Sequence, residues 1–319
     1  MAPAPVVVAV ISWNTRDLLQ RCLESFASEV EAGRVELWVV DNASSDGSAE
    51  LVRERFGWAN LIASEENLGF GRAVNLVASR TESEWIAPAN ADIAIREGTI
   101  EALLDAAERD PGAGAIAPRL VGTDRQTQHS VFGFPTVAYS FLVAIGAYRW
   151  IPRLGDRMAI PGYWNSERAR RVPWAVGAFL LIRRAAWDAV GGFDERQWMY
   201  AEDLDLGWRL GSAGWSTRYE PRAAVDHVGA AATSQLFGSD PSPDWQRATF
   251  GFIVRRWGLG HAWAVALLNF VGAVLRWAAL APGSISNPGR YAERRRNYAR
   301  WARVQLRGLR GRRTLERLS

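Results

Sequence analysis

The chain has 319 residues, of which 48% are hydrophobic and 23% charged, and its formal charge is +4. It is long enough to bury a large core, and this composition excludes an intrinsically disordered protein. The single cysteine, Cys22, excludes an intrachain disulfide and fits a reducing compartment. No basic region precedes the apolar residues 6–11, so we expect no secretory signal.

The first 118 residues alternate between strand and helix patterns. Apolar runs that are typical of strands buried on both faces occur at residues 6–12, 35–40, 61–63 and 85–89. Helix patterns follow the first three runs, the first of them capped by Asn14-Thr15, and residues 97–118 add a helix and a further strand. This alternation predicts a Rossmann-like, mostly parallel sheet flanked by helices.

The second part of the chain has a less regular pattern. Residues 119–172 are rich in glycine, proline, arginine and aromatic residues and predict an irregular segment, apart from the largely apolar residues 136–151. Strand patterns return at residues 172–182, 215–219 and 223–227.

Two groups of polar residues stand where α/β proteins bind ligands or begin helices. Asn90-Ala91-Asp92 follows a strand, and the C-terminal end of a parallel strand is a common ligand position. Glu202, Asp203 and Asp205 open an amphipathic helix, where the N–H groups and the helix dipole also favour carboxylates. The two groups suggest one site for a charged donor and one for the removal of a proton.

Eight short segments carry a family pattern, at residues 10–14, 39–48, 66–75, 90–92, 177–184, 191–195, 200–206 and 227–229. In this order they resemble the inverting family 2 glycosyltransferases with a GT-A fold, and within them the bacterial rhamnosyltransferase branch. The resemblance implies a catalytic domain at residues 1–230, with a nucleotide-sugar half at about 1–118 and an acceptor half at about 119–230. It does not extend with comparable force to residues 231–319.

The resemblance implies the donor-binding residues. Asp41, helped by Asn14, is expected to bind the base, because a carboxylate accepts the N3–H of uracil or thymine. Asn67, Gly69 and Arg72 are expected to contact the donor phosphate or sugar, since glycine allows close approach and a helix N-terminus favours phosphate. The alternative is that these loop residues only cap the helices that follow them.

The resemblance also implies a divalent cation, Mg²⁺ or Mn²⁺. Asp92 matches the family's metal-binding acid, which would help to neutralise the leaving diphosphate. Asn90 and Asp92 are also expected to contact the donor, although Asn90 departs from the family pattern, which usually has an acid there. His227 is the candidate further ligand, and its alternative role is a core histidine paired with Asp226 or with a backbone carbonyl.

The acidic pair matches the family's catalytic acids. Asp203 is expected to be the general base that takes a proton from the acceptor hydroxyl, with Glu202 as its substitute. The alternative is a set of helix N-terminal acids without chemistry. Trp174, Trp198 and Tyr200 are candidate platforms for the acceptor sugar, although tryptophans are more often core residues.

The implied reaction is metal-dependent, inverting sugar transfer in cell-surface polysaccharide synthesis. The expected donor is dTDP-L-rhamnose, with another UDP- or dTDP-sugar as the alternative. The expected acceptor is a glycan or a polyprenyl-diphosphate-linked sugar. Two other classes stay open, a non-catalytic nucleotide- or glycan-binding protein derived from this fold and, with less support, a nucleotidyltransferase.

Residues 231–319 are expected to form a helical, basic extension. Residues 262–281 are apolar except for Asn269 and Arg276 and predict a buried or interfacial helix. Residues 290–319 contain eleven arginines and two glutamates, a formal charge of +9, which leaves −5 on the preceding residues. With Tyr291, Tyr298 and Trp301 among these arginines, the tail is predicted to bind an anionic membrane surface, and no nucleic acid because no reading motif accompanies the charge.

We therefore expect a cytoplasmic protein that is peripheral on the inner face of the cell membrane. The alternative for the tail is a solvated helix that packs on the catalytic body.

Overall fold

The computed structural model describes residues 4–229, 242–286 and 288–310. The chain forms two compact units: Met1–Phe132 with Asn165–Pro241, and Gly133–Trp164 with Ser242–Ser319. Residues 133–164, which the sequence assigns to the acceptor half, thus group with the C-terminal helices. The predicted boundary at residue 230 stays a prediction.

The first unit contains a nine-stranded sheet and a two-stranded one. In chain order the strands are β1 (Val6–Ser12), β2 (Val35–Asp41), β3 (Asn60–Ala63), β4 (Trp85–Asn90), β5 (Ile93–Ile95), β6 (Ala113–Val121), β7 (Val131–Phe132), β8 (Arg170–Val172), β9 (Trp174–Ala175), β10 (Leu181–Arg183) and β11 (Ser216–His227). The large sheet has the order β3-β2-β1-β4-β10-β6-β11-β5, with β8 beside β11, and β7 pairs with β9.

Parallel pairing dominates the half of the sheet formed by the first four strands. β3, β2, β1 and β4 are mutually parallel, and β6 is parallel to β11, whereas β10, β5 and β8 pair antiparallel. The strands β1 and β4 are buried almost throughout, as expected for strands with helices on both faces. The predicted mostly parallel sheet is confirmed.

Nine helices occur in chain order up to residue 229 of the described structure. They are α1 (Arg16–Glu31), α2 (Ser48–Arg55), α3 (Phe70–Ala78), α4 (Thr99–Arg109), α5 (Val137–Ile145), α6 (Ala147–Trp150), α7 (Pro152–Arg157), α8 (Arg184–Val190) and α9 (Glu202–Ser212). α1 buries the apolar face that its periodicity predicts. Burial and, to a lesser degree, the charge of Asp92 raise the pKa of the Cys22 thiol on this face.

Three local features differ from the sequence analysis. Residues 152–157 form a helix where the sequence indicates an irregular segment, and the largely apolar residues 137–145 and 147–150 form two helices that the sequence analysis leaves unassigned. β11 is one strand rather than two, and its pairing with β6 shifts between Glu220 and Ala224, around Pro221, which has no N–H to donate. β5 was not predicted, since three residues show no usable alternation.

The second unit adds α10 (Ser242–Trp257), α11 (Leu259–Ala279), α12 (Ala281–Ser286) and α13 (Pro288–Arg310). α5 crosses α11 closely, since a Cβ atom on Gly272 would lie 2.8 Å from Ala144 Cα. The Arg276 guanidinium donates to the carbonyls of Gly272 and Val143, which links the two helices. The predicted apolar helix is confirmed as α11, and Leu259–Gly283 is the one described helix long and apolar enough to cross a membrane.

Candidate functional site

The C-terminal ends of β1, β2 and β4 lie side by side at one edge of the sheet. Ser12 is in register with Asp41, and Ile11 with Asn90, so the loops that follow these strands emerge together. Asp41 is 3% exposed, and its Oδ2 accepts the Ser44 N–H at 3.1 Å. Its Oδ1 is buried without a hydrogen-bond partner among the described residues, which leaves an acceptor for a ligand N–H.

Asn14 connects the loop that follows β1 with the loop that follows β2. Its backbone N–H donates to Ser44 Oγ at 3.0 Å, and its Oδ1 accepts the Ser45 N–H at 2.8 Å. The residue has a positive φ of 50°, a conformation that asparagine tolerates better than most residues. Asn14 therefore fixes the two loops relative to each other next to Asp41.

The loop before α3 is fixed by two asparagines. Asn67 Oδ1 accepts the Gly69 N–H at 2.9 Å, and Asn42 Nδ2 donates to the Gly69 carbonyl at 3.3 Å. The Asn42 contact was not predicted from the sequence. Arg72, beside the loop, pairs with Glu66 at 3.2 Å on the surface.

The three predicted acceptor aromatics lie in different surroundings. Trp198 is 43% exposed, and its backbone covers Gly69, where a Cβ atom would clash with the Trp198 carbonyl. Its Nε1 donates to the Asn67 carbonyl at 3.3 Å. Trp174 is 4% exposed and stacks on Phe132, with ring centroids 5.0 Å apart, so little of its ring faces solvent. Tyr200 is half-buried beside α9 and has a positive φ of 64°.

Asp92 and His227 face each other. His227 Nε2 lies 3.5 Å from Asp92 Oδ1, and the other carboxylate oxygen of Asp92 accepts the Gly229 N–H at 3.0 Å. His227 Nε2 is buried and has no hydrogen-bond partner in the described part of the chain. The Asp226 carboxylate instead accepts from Arg96 at 2.6 Å, so the alternative pairing of His227 with Asp226 does not occur.

Gln128 orients the His227 ring. Gln128 Nε2 donates to the His227 carbonyl at 2.9 Å, and therefore its Oε1 faces His227 Nδ1, 2.7 Å away. Because an amide oxygen only accepts, Nδ1 carries a proton, and in the neutral ring the lone pair of Nε2 points towards Asp92. Such outer hydrogen bonds commonly set the tautomer of a metal-binding histidine.

The Asp92–His227 pair fits a divalent cation. The carboxylate oxygen suits Mg²⁺ or Mn²⁺, whereas the imidazole nitrogen favours a transition metal such as Mn²⁺ over Mg²⁺. The buried Nε2 has no hydrogen-bond partner among the described residues. Among residues 4–229, 242–286 and 288–310, no group of three or more His, Cys, Asp or Glu side chains is placed to hold a metal. Donor phosphates and water would therefore have to supply further ligands.

Asp203 lies close to the end of β4. Its Oδ2 accepts the Gly177 N–H at 3.0 Å, and the neighbouring Ala178 carbonyl accepts the Asn90 N–H at 2.9 Å. The Asp203 Oδ1 accepts the Leu204 N–H at 2.7 Å. A Cβ atom on Gly177 would lie 3.4 Å from Asp203 Cβ, an ordinary van der Waals distance, so the two residues are in close contact.

The two adjacent acids differ in their surroundings. Burial and, after it, the charge of Asp203 raise the pKa of Glu202 to about 8, and Glu202 Oε2 is buried without a hydrogen-bond partner among the described residues. Burial also raises the pKa of Asp203, but the N–H groups of Gly177 and Leu204 stabilise its ionised form and oppose that rise. The N–H groups of Gly177 and Leu204 thus favour the ionised form of Asp203, whereas Glu202 Oε2 has no such donor among the described residues.

Asp205 has a structural role. It is fully buried and accepts from Arg209 Nε at 2.6 Å, one turn along α9, while Arg209 Nη1 donates to the Val190 carbonyl at 2.7 Å. This pairing satisfies the charge of Asp205 within the helix and distinguishes it from Glu202 and Asp203.

The Glu202→Gln variant is expected to gain thermal stability relative to wild type as pH rises from about 4.5 to about 8. In this window the unfolded Glu202 is ionised while the folded one keeps its proton, so the wild type loses stability with rising pH. Glutamine does not titrate. Melting temperatures of both proteins between pH 4.5 and 8.5 measure the effect. A constant difference across this window would contradict the raised pKa.

Comparisons with known proteins identify the family. The Glycosyl transferase family 2 profile matches residues 7–142, and that of Glycosyl transferase family group 2 matches residues 127–288. The N-acetylglucosaminyl-diphospho-decaprenol L-rhamnosyltransferase of Mycobacterium tuberculosis H37Rv is 35% identical over 246 residues, which cover 74% of this chain and 78% of that protein. The rhamnosyltransferase WbbL of Escherichia coli K12 is 34% identical over 85 residues, 27% of this chain and 32% of that protein.

Solved structures with the same fold include a mannosyltransferase from Pyrobaculum calidifontis in complex with GDP-Man and Mn²⁺. It has a TM-score of 0.57 and 17% identity and covers 100% of this chain and 88% of its own. GalNAc-T7 with UDP, GalNAc and Mn²⁺ has a TM-score of 0.58 and 13% identity, over 85% of this chain and 51% of its own. With the acidic pair and the sheet edge described above, these matches show that the chain belongs to glycosyltransferase family 2, in the rhamnosyltransferase-like branch, and has a GT-A fold.

Proposed function

We propose that this transferase moves L-rhamnose from dTDP-L-rhamnose to a sugar that is linked to a polyprenyl diphosphate, with inversion at the anomeric carbon. The observation that carries the proposal is the Asp203 carboxylate, held by the Gly177 N–H at 3.0 Å beside the end of β4. Asp203 takes the proton of the acceptor hydroxyl as this oxygen attacks the anomeric carbon, and the nucleoside diphosphate leaves from the opposite side.

Asp92 and His227 would hold the divalent cation, and Gln128 keeps the His227 lone pair directed towards Asp92. When bound, the cation neutralises charge on the leaving diphosphate. The Asp41 Oδ1 supports a thymine or uracil base, because it is a buried acceptor without a protein donor in the described residues. Asn90 supplies no charge here, so metal binding rests on one carboxylate and one imidazole.

The relative from Mycobacterium tuberculosis supports the donor and the acceptor class, because its name gives an L-rhamnosyl group and an N-acetylglucosaminyl-diphospho-lipid. The test is a transfer assay with a short-chain N-acetylglucosaminyl-diphospho-lipid and a panel of dTDP-, UDP- and GDP-sugars in Mn²⁺. Rhamnosylated product from dTDP-L-rhamnose, with inverted anomeric configuration by NMR, is the expected result. Faster turnover with another UDP- or dTDP-sugar would show that this sugar, and not dTDP-L-rhamnose, is the donor.

A non-catalytic binding protein remains the second candidate, and Asn90 is the observation that favours it. If this candidate is right, a nucleotide sugar raises the melting temperature of the protein, but the transfer assay yields no product with any acceptor. The intact Glu202–Asp203 pair, and the orientation of His227 by Gln128, favour the enzyme.

We also propose that the protein attaches peripherally to the cytoplasmic face of the membrane through its basic C-terminal residues 290–319. The second unit supports this attachment, because several of its large apolar side chains are exposed. Trp150 is 86% exposed and Leu275 57% exposed, and the others are Phe141, Ile145, Ile151, Trp263, Leu267, Val271, Val274 and Trp277. Tryptophan and arginine together are typical of helices in the membrane interface. Residues 311–319 lie outside the described residues.

Replacing three tail arginines by glutamine, at Arg312, Arg313 and Arg317, is expected to weaken binding to anionic vesicles, because each charge near such a surface contributes about 1 kcal/mol. Co-sedimentation of the full chain with phosphatidylserine vesicles at low and high salt measures the change. A matched control replaces three arginines of the first unit, Arg53, Arg55 and Arg80. Equal binding of both variants would remove the tail from the attachment.

A further inference from the structure

A concave region includes the Asp92–His227 pair in its lining, and its arginines have no role in the function proposed above. It is a cleft of about 660 Å³ between α1, β5 and the C-terminal ends of β6 and β11. We name this region the arginine cleft. Its polar lining consists mainly of Arg21, Arg96, Arg119, Arg125, Thr123 and Thr127. The volume is in the range of small-molecule sites.

Two of these arginines are paired at the rim. Arg96 donates through Nε and Nη2 to Asp226 Oδ1, at 3.1 and 2.6 Å. Arg119 Nη1 donates to both carboxylate oxygens of Glu167 at 3.0 Å. Yet the Arg119 Nε is buried and has no hydrogen-bond partner among the described residues. An unsatisfied buried N–H costs free energy, so an acceptor atom supplied by a ligand would be stabilised there.

Arg21 and Arg125 are exposed and have no ion-pair partner in the part of the chain that the structure describes. Arg125 is held at the tip of a tight turn with a φ of 62°, where its N–H donates to the Gly122 carbonyl at 2.9 Å. The Gly122 N–H in turn donates to the Gln126 carbonyl at 2.9 Å. The backbone therefore fixes the position of this arginine at the cleft.

The charge and chemistry of the cleft favour a phosphate ligand. Its four arginines exceed the two carboxylates that also line it, those of Asp92 and Asp226. Guanidinium groups bind phosphate oxygens bidentately and remain charged at any physiological pH. Threonine hydroxyls add donors that suit the same oxygens.

We propose that the arginine cleft binds a diphosphate group, and that this group is the one that links the lipid to the acceptor sugar. The second part rests on the proposed function. In such an acceptor the diphosphate is bonded directly to the sugar that is attacked, so the protein needs a diphosphate site near Asp203. The donor's own diphosphate offers the same chemistry. Asp92 and His227 of the cation site also line the cleft, so the KM for the donor in the test below separates the two sources.

The test uses the full chain with Arg21→Gln and Arg125→Gln combined, and Arg53→Gln with Arg80→Gln as a control of equal charge. Acceptors are farnesyl-diphospho-N-acetylglucosamine and an octyl N-acetylglucosaminide that lacks the diphosphate. In the cleft variant the KM for the diphospho acceptor is expected to rise by about 10- to 100-fold, as for the loss of hydrogen bonds to a charged group. The KM values for the donor and for the octyl acceptor are expected to stay unchanged.

A second measurement is independent of turnover. Farnesyl diphosphate is titrated calorimetrically into both variants and the wild type in EDTA, so that binding through a metal is excluded. The proposal is supported if farnesyl diphosphate binds to the wild type and the control variant but not to the cleft variant. This result stands even if the wild type transfers no sugar and the proposed function fails. Equal binding by all three proteins overturns it. A rise in the donor KM instead assigns the cleft to the donor diphosphate and overturns the acceptor assignment.

Discussion

Asp203→Asn is expected to lower the turnover number by about 10²–10⁴ while the affinity for the nucleotide sugar stays unchanged. Asparagine keeps the size of the side chain and can still accept the Gly177 N–H, but it cannot take the proton of the acceptor hydroxyl. Initial rates at saturating donor and acceptor, together with a calorimetric titration of the donor, separate the two quantities.

Two variants of the same helix serve as controls for this prediction. Asp205→Asn weakens the buried pair with Arg209, at 2.6 Å, and is expected to lower the melting temperature while folded protein keeps its turnover. Glu202→Gln is expected to keep more activity than Asp203→Asn. If Glu202→Gln is inactive and Asp203→Asn turns over normally, the two acids exchange roles, and if both remain active the catalytic site lies elsewhere.

Asp92→Ala is expected to weaken donor binding in Mn²⁺ by more than the 10- to 100-fold that is typical for the loss of an outer-shell group. In EDTA the wild type and the variant are expected to bind the donor equally, because the lost interaction runs through the cation. Calorimetric titration of dTDP into each protein, with and without Mn²⁺, gives the four affinities. If the wild type transfers sugar at its full rate in EDTA, the metal prediction is wrong and the Asp92–His227 pair has only a structural role.

A graded series strengthens this result. Gln128→Ala removes the group that fixes the His227 tautomer and is expected to weaken Mn²⁺ binding by about 10- to 100-fold, less than Asp92→Ala does. The matched control is Gln126→Ala on the same turn, where only the backbone of Gln126 makes the hydrogen bonds described above. Direct Mn²⁺ titration followed by electron paramagnetic resonance reads metal binding without any turnover.

The parallel part of the sheet could be predicted because its strands are buried on both faces and read as apolar runs. Strand β11, which pairs with β6, was harder to predict from the sequence. Around Pro221 the chain keeps its strand direction although the residue donates no N–H, so the apolar pattern breaks while the strand continues. α5 to α7 were missed since their burial is set by other helices of the second unit rather than by a clear period of their own.

The candidate acids could be located from motif spacing, but their supporting amides could not. Gln128 reaches His227 across 99 positions, and Asn42 reaches Gly69 across 27. Asn75 likewise holds the Phe193 backbone, 118 positions away. A single sequence carries no signal for such pairings, because an exposed glutamine or asparagine has the same local pattern as one that orients a site.

The burial of Cys22 makes the natural chain suitable for site-specific labelling. Thiols react as thiolates, and the raised pKa and complete burial of this side chain suppress that form, so maleimide reagents are expected to leave it unmodified in the folded protein. A cysteine introduced at Trp150 would then be the one reactive thiol. A fluorophore or spin label there would test the proposed membrane attachment without a prior cysteine-free background.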